Sequence, residues 1–139
     1  MTLKQLRRID VTIKKQIDWD EKTCDIVLRR ISKLKISING IHTDVVSKYK
    51  TKIRMKNELY AERYKYYIED HARKYGSDKA IDYIINTEES FKNICKDIQL
   101  LEIAEEHLAA LLKNLHETEF DIKNWIEYKK LQLTYGIGI

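Results

Sequence analysis

The chain has 139 residues, 43% of them hydrophobic and 35% charged, with two cysteines, no proline and a formal net charge of +4. That length suits one domain, and the richness in Lys, Glu and Leu suits long helices or coiled coils. No apolar run approaches the length of a membrane span, which excludes a spanning helix, and Lys4, Arg7, Arg8 and Asp10 interrupt any signal-like run at the N-terminus.

In chain order, residues 1–20 read as a basic arm or short helix, with Leu3, Leu6, Ile9, Ile13 and Ile17 able to face one way. Asp18 or Asp20 is placed to cap the next helix. From Cys24 the apolar positions run Cys24, Val27, Ile31, Leu34, Ile38, Ile41 and Val45, the alternating three–four spacing of a heptad seam. The seam keeps its phase through Asn39-Gly40, so one long helix is expected over 21–75, with a break at Gly40 as the alternative. Gly76 suits the residue after a helix end. A short helix is expected over 78–85. Asn86 with Glu89 has the spacing of a capping box, opening a helix over 87–117 with the seam Phe91, Ile94, Ile98, Leu101, Leu108, Leu112 and Leu115. Thr118 and Asp121 offer another cap, so a separate helix is expected over 119–133 with Phe120, Ile122, Trp125 and Ile126; Gly136 and Gly138 mark a tail. The fold class is therefore all-α, with coiled-coil-like seams that pair as a helical hairpin and assemble copies through the C-terminal helices. Ile94, Ile98, Leu101, Leu108, Leu112, Leu115, Phe120, Ile122 and Ile126 are the expected core and assembly residues. Cys24 and Cys95 fall on or near apolar stripes and read as reduced, packed thiols of a cytoplasmic protein.

Charge is unevenly spread. Residues 1–74 hold 19 cations and 10 acids, whereas 75–139 hold 7 cations and 12 acids. The excess peaks in Lys48 to Tyr75, with nine cations against four acids and six of the nine tyrosines. At about 100° per residue, Tyr49, Ile53, Tyr60, Tyr64 and Tyr67 share one stripe. Lys48, Lys52, Lys56, Arg63 and Tyr66 run beside it, and Lys50, Arg54 and Lys65 flank the other edge. For the tyrosine stripe, packing is the default; Tyr66 is set on the basic face. Cations that replace counterions on phosphates, beside rings on which any base stacks, are what single-stranded nucleic acid requires. Lys48, Lys50, Lys52, Arg54, Lys56, Arg63, Lys65 and Tyr66 are the candidate contacts.

Sites for catalysis are missing from the pattern. His42, His71, His107 and His116 lack metal-ligand spacing, and the position four after His116 is Phe120 rather than a second histidine. No phosphate-cradling glycine loop occurs. Glu88-Glu89 and Glu105-Glu106 read as solvated helix surface or as complements to a helix dipole. The expectation is a protein without catalytic activity, cofactor or metal.

Two runs carry a family resemblance. Arg63-Tyr64-Lys65-Tyr66-Tyr67 closes the basic helix before a glycine-bearing loop. Phe120-Asp121-Ile122-Lys123-Asn124-Trp125-Ile126-Glu127 precedes a terminal glycine. Order and spacing together resemble the UvsY family of recombination mediators of T-even-type and related myophages, over about residues 20–136. Thr118-Glu119 and Ala61 depart from residues common in that family. The resemblance implies an all-α, ring-like homo-oligomer, with a heptamer as a candidate size. It also implies binding to single-stranded DNA and partnership with a phage recombinase and a single-strand DNA-binding protein inside an infected bacterium. By motif position it gives Arg63, with Lys65 and Tyr66, as DNA contacts.

These features support two hypotheses. One is a non-catalytic mediator that helps load the recombinase onto coated single strands. The alternative is a coiled-coil adaptor whose basic face meets solvent or protein. A lipid-binding scaffold ranks last, because tyrosine rather than bulky aliphatic side chains dominates the stripe opposite the charge; no membrane partner is expected.

Overall fold

The computed structural model describes residues 1–75 and 77–136, with side chains for 1–69 and 77–136. The expected helix stop at Gly76 and the tail glycine Gly138 lie outside the described residues. Four helices and no strand occur among the described residues: α1 (Leu3–Gln16), α2 (Cys24–Tyr75), α3 (Asp78–Thr87) and α4 (Glu89–Tyr135). Contacts divide the chain into two compact units, one of Met1 and residues 44–105, the other of residues 2–43 and 106–139.

Local chemistry sets the helix ends. The Thr2 side chain accepts from the Gln5 backbone N–H and the Gln5 side chain accepts from that of Thr2, a reciprocal box that starts α1. The stretch read as an arm or short helix thus forms α1 over Leu3–Gln16. The Asp20 carboxylate accepts from the Lys22 and Thr23 backbone N–H groups and from the Thr23 hydroxyl, organising the turn ahead of α2. Those bonds, the Thr23 side chain first, hold the carboxyl below its ordinary range. α2 runs through Asn39-Gly40 without interruption. Ser77 caps α3 by accepting from the Ala80 N–H. A single extended residue, Glu88 (φ −67°, ψ 136°), separates α3 from α4. Asn86 does not cap α4: it lies inside α3, where its side-chain amide donates to the Asp82 carbonyl. Gly136 ends α4 at φ 63°, the left-handed conformation that glycine reaches without strain.

The expected division into helices 87–117 and 119–133 is corrected: α4 has no break at Glu117–Glu119. Cap-forming residue types at 118 and 121 are overridden by tertiary packing. Leu115 and Ile122, seven residues apart, are both fully buried, so the apolar phase crosses the site unbroken. Glu119 is used sideways, 3.0 Å from Lys35 on α2 and 3.1 Å from Lys123 one turn on. Lys35 first and then Lys123 hold its carboxyl below the ordinary range.

In the unit of residues 2–43 and 106–139, α1 packs Leu6 and Ile13 inward. The first part of α2 contributes Cys24, Val27, Ile31 and Ile38, and α4 contributes Leu108, Leu111, Leu115 and Ile122. In the other unit, the later part of α2 and the first part of α4 run antiparallel, as the Tyr49–Glu102, Lys52–Asp97 and Arg63–Glu88 contacts require. Tyr67, Ile81, Ile85 and Phe91 form its apolar cluster, with Leu59, Tyr60, Tyr64, Ile84 and Cys95 packed against it. Of the expected core and assembly set, Ile98, Leu101, Leu108, Leu115 and Ile122 are buried within the protomer, Ile94, Leu112 and Ile126 are half-buried, and Phe120 is 61% exposed.

Candidate nucleic-acid interface

The expected stripe of cations on α2 separates into two groups once the helix is packed. Lys48, Lys50, Arg54 and Lys65 are exposed, whereas Lys52, Lys56 and Arg63 are half-buried against α3 and α4. Helix phase explains the division. Ile31, Ile38 and Val45 recur every seven residues on the inward face, and the next step of seven is Lys52.

Each inward cation has a built-in partner. Lys52 Nζ lies 3.0 Å from Asp97 Oδ2. Lys56 Nζ stands over the Phe91 ring, 5.9 Å from its centroid. Arg63 is held most completely. Its Nε lies 2.8 Å from Glu88 Oε2, and an Nη group donates to the Tyr67 hydroxyl at 3.3 Å. That hydroxyl donates in turn to Glu88 Oε1 at 2.8 Å. Tyr67 first and then Glu88 hold the guanidinium more firmly protonated than usual. Burial, with the bond to Glu88, raises the Tyr67 phenol. Glu88 is therefore not free helix surface; the one extended residue between α3 and α4 directs its carboxylate back to α2.

The outward cations are bound loosely. Lys48 pairs with Asp44 at 3.1 Å, both well exposed, and Arg54 and Lys65 reach Glu58 and Glu69 only at 3.9 Å. Lys50 has no ion pair among the described residues. Exposed pairs of this kind contribute little and are readily screened. Tyr66 lies at the edge of this face, on the stripe of Arg63, 40% exposed, with the Arg63 guanidinium 4.6 Å from its ring centroid and the Tyr67 ring edge-on at 5.2 Å. One ring is thus presented to solvent on a cationic base.

The remaining tyrosines of the stripe are sewn to acids. Tyr60 donates to Asp82 at 2.7 Å and Tyr64 to Asp78 at 2.6 Å, their rings stacked at 6.2 Å. Tyr49 donates to Glu102 at 3.1 Å. The bond to Asp82, helped by burial, pushes the Tyr60 phenol up to about 12. These hydroxyls are satisfied within the fold, so stacking by Tyr60 and Tyr64 is turned to packing. Sequence reasoning missed Asp78, Asp82, Glu88 and Asp97; the signal was the density of inward Tyr, Lys and Arg on α2, which needs acids opposite.

No group of His, Cys, Asp and Glu able to hold a metal ion occurs among the described residues. Among the described residues no helix is long and apolar enough to cross a membrane. Among the described residues the outer face of α2 offers cations interspersed with the carboxylates of Glu58 and Glu69, and the Tyr66 ring at its edge.

Comparison with known proteins agrees with this chemistry. The family model described as "Recombination, repair and ssDNA binding protein UvsY" matches residues 35–134. No curated protein matches the chain by sequence. Two crystal structures of the bacteriophage T4 recombination mediator protein UvsY are similar in fold. In lattice type II the TM-score is 0.77 at 14% identity, covering 96% of this chain and 98% of that one. In lattice type IV it is 0.74 at 12% identity, covering 91% and 98%. The helices, their order and the matched stretch together show that this chain belongs to the UvsY family of recombination, repair and single-stranded DNA binding proteins.

Proposed function

We propose that this chain is a recombination mediator without catalysis of its own, which holds single-stranded DNA on the outer face of α2. It helps load a phage recombinase onto strands coated with single-strand DNA-binding protein, in the cytoplasm of an infected bacterium. The observation that carries this reading is the exposed set Lys48, Lys50, Arg54 and Lys65 along α2, with the Tyr66 ring at the edge of that face over the Arg63 guanidinium. The cations take phosphates by counterion release, and the ring takes a base. Arg63 acts beneath that surface: its guanidinium, fixed by Glu88, is the mount on which Tyr66 stands. Lys52 and Lys56 join the strand only by leaving Asp97 and Phe91.

Assembly multiplies a weak patch. The outer face of α4 carries Phe120, Tyr128, Leu131 and Tyr135, each more than half exposed and aligned at helical spacing. Covering this stripe with a second copy would build the ring-like homo-oligomer, and linked patches raise the effective concentration of each further contact. A gel shift with a labelled single strand, run beside light scattering, tests both parts. The wild type is expected to shift the strand as a multimer. Phe120→Asp with Leu131→Asp is expected to lower the particle mass and weaken binding together. Failure of the wild type to shift the strand at low salt favours the adaptor reading instead.

A further inference from the structure

A second cationic face lies on α1, outside the stretch that the family model matches. At about 100° per residue, Lys4, Arg7, Arg8, Val11, Lys14 and Lys15 fall within an arc of about 120°. All six are exposed. Lys14 pairs with Asp10 at the edge of the arc, 3.1 Å away. Lys4, Arg7, Arg8 and Lys15 have no carboxylate partner among the described residues. The face is fixed in place: Leu6 and Ile13, each 3% exposed, anchor the opposite side, and the Arg30 guanidinium donates to the Gln16 carbonyl where α1 ends.

This face differs from that of α2 in one respect. α1 contains no aromatic residue, so it offers phosphate contacts and no platform for an unstacked base. Lys4 to Lys15 spans eleven residues, about 16 Å of helix. Duplex DNA carries a phosphate about every 3.4 Å along each strand, so α1 faces roughly five phosphates of one strand with five cations. We propose that the outer face of α1 is a second, sequence-independent binding face whose ligand is the phosphate backbone of double-stranded DNA. A chain with an aromatic-bearing face for single strands and an aromatic-free face for duplex is suited to the boundary between the two.

The test uses the full chain, a labelled blunt duplex of about 30 bp and a labelled oligothymidine, titrated by fluorescence anisotropy between roughly 50 and 200 mM salt. Lys4→Gln, Arg8→Gln and Lys15→Gln are combined; all three are surface changes, and circular dichroism confirms that α1 persists. The expected result is that the logarithmic salt slope for duplex falls by about 0.9 for each phosphate no longer neutralised, close to 3 in all, with the oligothymidine slope changed much less. Combining Lys50→Gln, Arg54→Gln and Lys65→Gln is expected to do the reverse, so failure of the α2 reading is separable from failure of this one. The proposal is overturned if the wild type does not bind duplex at the lowest salt, or if the α1 variant binds it with the wild-type slope. It is also overturned if a polyglutamate peptide, and not duplex, shows the α1-dependent slope, since the face would then belong to an acidic protein segment.

Discussion

Arg63 is the residue for which family resemblance and packing give different roles, and Arg63→Ala separates them. The substitution removes the 2.8 Å contact to Glu88, the bond to the Tyr67 hydroxyl, and a cation lying 4.6 and 5.2 Å from two ring centroids. Both charged side chains are less than a third exposed, so solvent screening is incomplete. A hydrogen bond to a charged group contributes about 1.5–3 kcal/mol, and the ring contacts add roughly 0.5–1 kcal/mol. The expected loss of stability is about 2–4 kcal/mol, read from urea unfolding at fixed protein concentration. Adding Glu88→Gln closes a double-mutant cycle, whose coupling is expected to exceed about 1 kcal/mol. A loss below about 0.5 kcal/mol with no coupling would refute the reasoning. The guanidinium would then be free for a phosphate, as the resemblance alone implies.

Single features carry the other expected outcomes. Gly40 is an exposed mid-helix glycine, and a Cβ there meets nothing within 4 Å; Gly40→Ala is expected to raise stability by about 0.5–1 kcal/mol in the same assay. Leu115 is fully buried, so Leu115→Ala is expected to cost about 2–5 kcal/mol, visible as a lower urea midpoint with unchanged slope. The Tyr60 phenol is pushed up from 10.0 to about 12 because its hydroxyl donates a hydrogen bond to Asp82, helped by burial. Its folded-state value is raised, so its contribution is full below the ordinary phenol range and is lost as pH rises through about 12. An absorbance titration of Tyr60→Phe is expected to lack that late-ionising group, and an unchanged curve would remove the Asp82 bond from the account.

Much of the fold was legible because its cause is periodic. The seam from Cys24 to Val45 and the seam from Phe91 to Leu115 each state one buried face, and an all-α hairpin follows from two such faces. Continuity of α4 past Glu117 was not legible from Thr118 and Asp121. Capping propensity is local, and burial of Leu115 and Ile122 outweighs it. The site was legible as a concentration of charge but not as a surface. Whether a lysine at 50 or at 52 meets solvent depends on helix phase over the whole seam, and the seven-residue count from Val45 to Lys52 carried that information. Glu88 and Asp97 were harder to find: no sequence pattern pairs residues 25 and 45 positions apart, and only the antiparallel packing of α2 with α3 and α4 brings them to Arg63 and Lys52.

The salt dependence of single-strand binding tests the central claim most directly. With Lys50, Arg54 and Lys65 all changed to Gln, the logarithmic slope on oligothymidine is expected to fall by roughly 0.7 per phosphate released, about 2 in total, at unchanged particle mass. A triple variant that binds single strands with the wild-type slope would contradict the claim that the outward cations of α2 hold the phosphates.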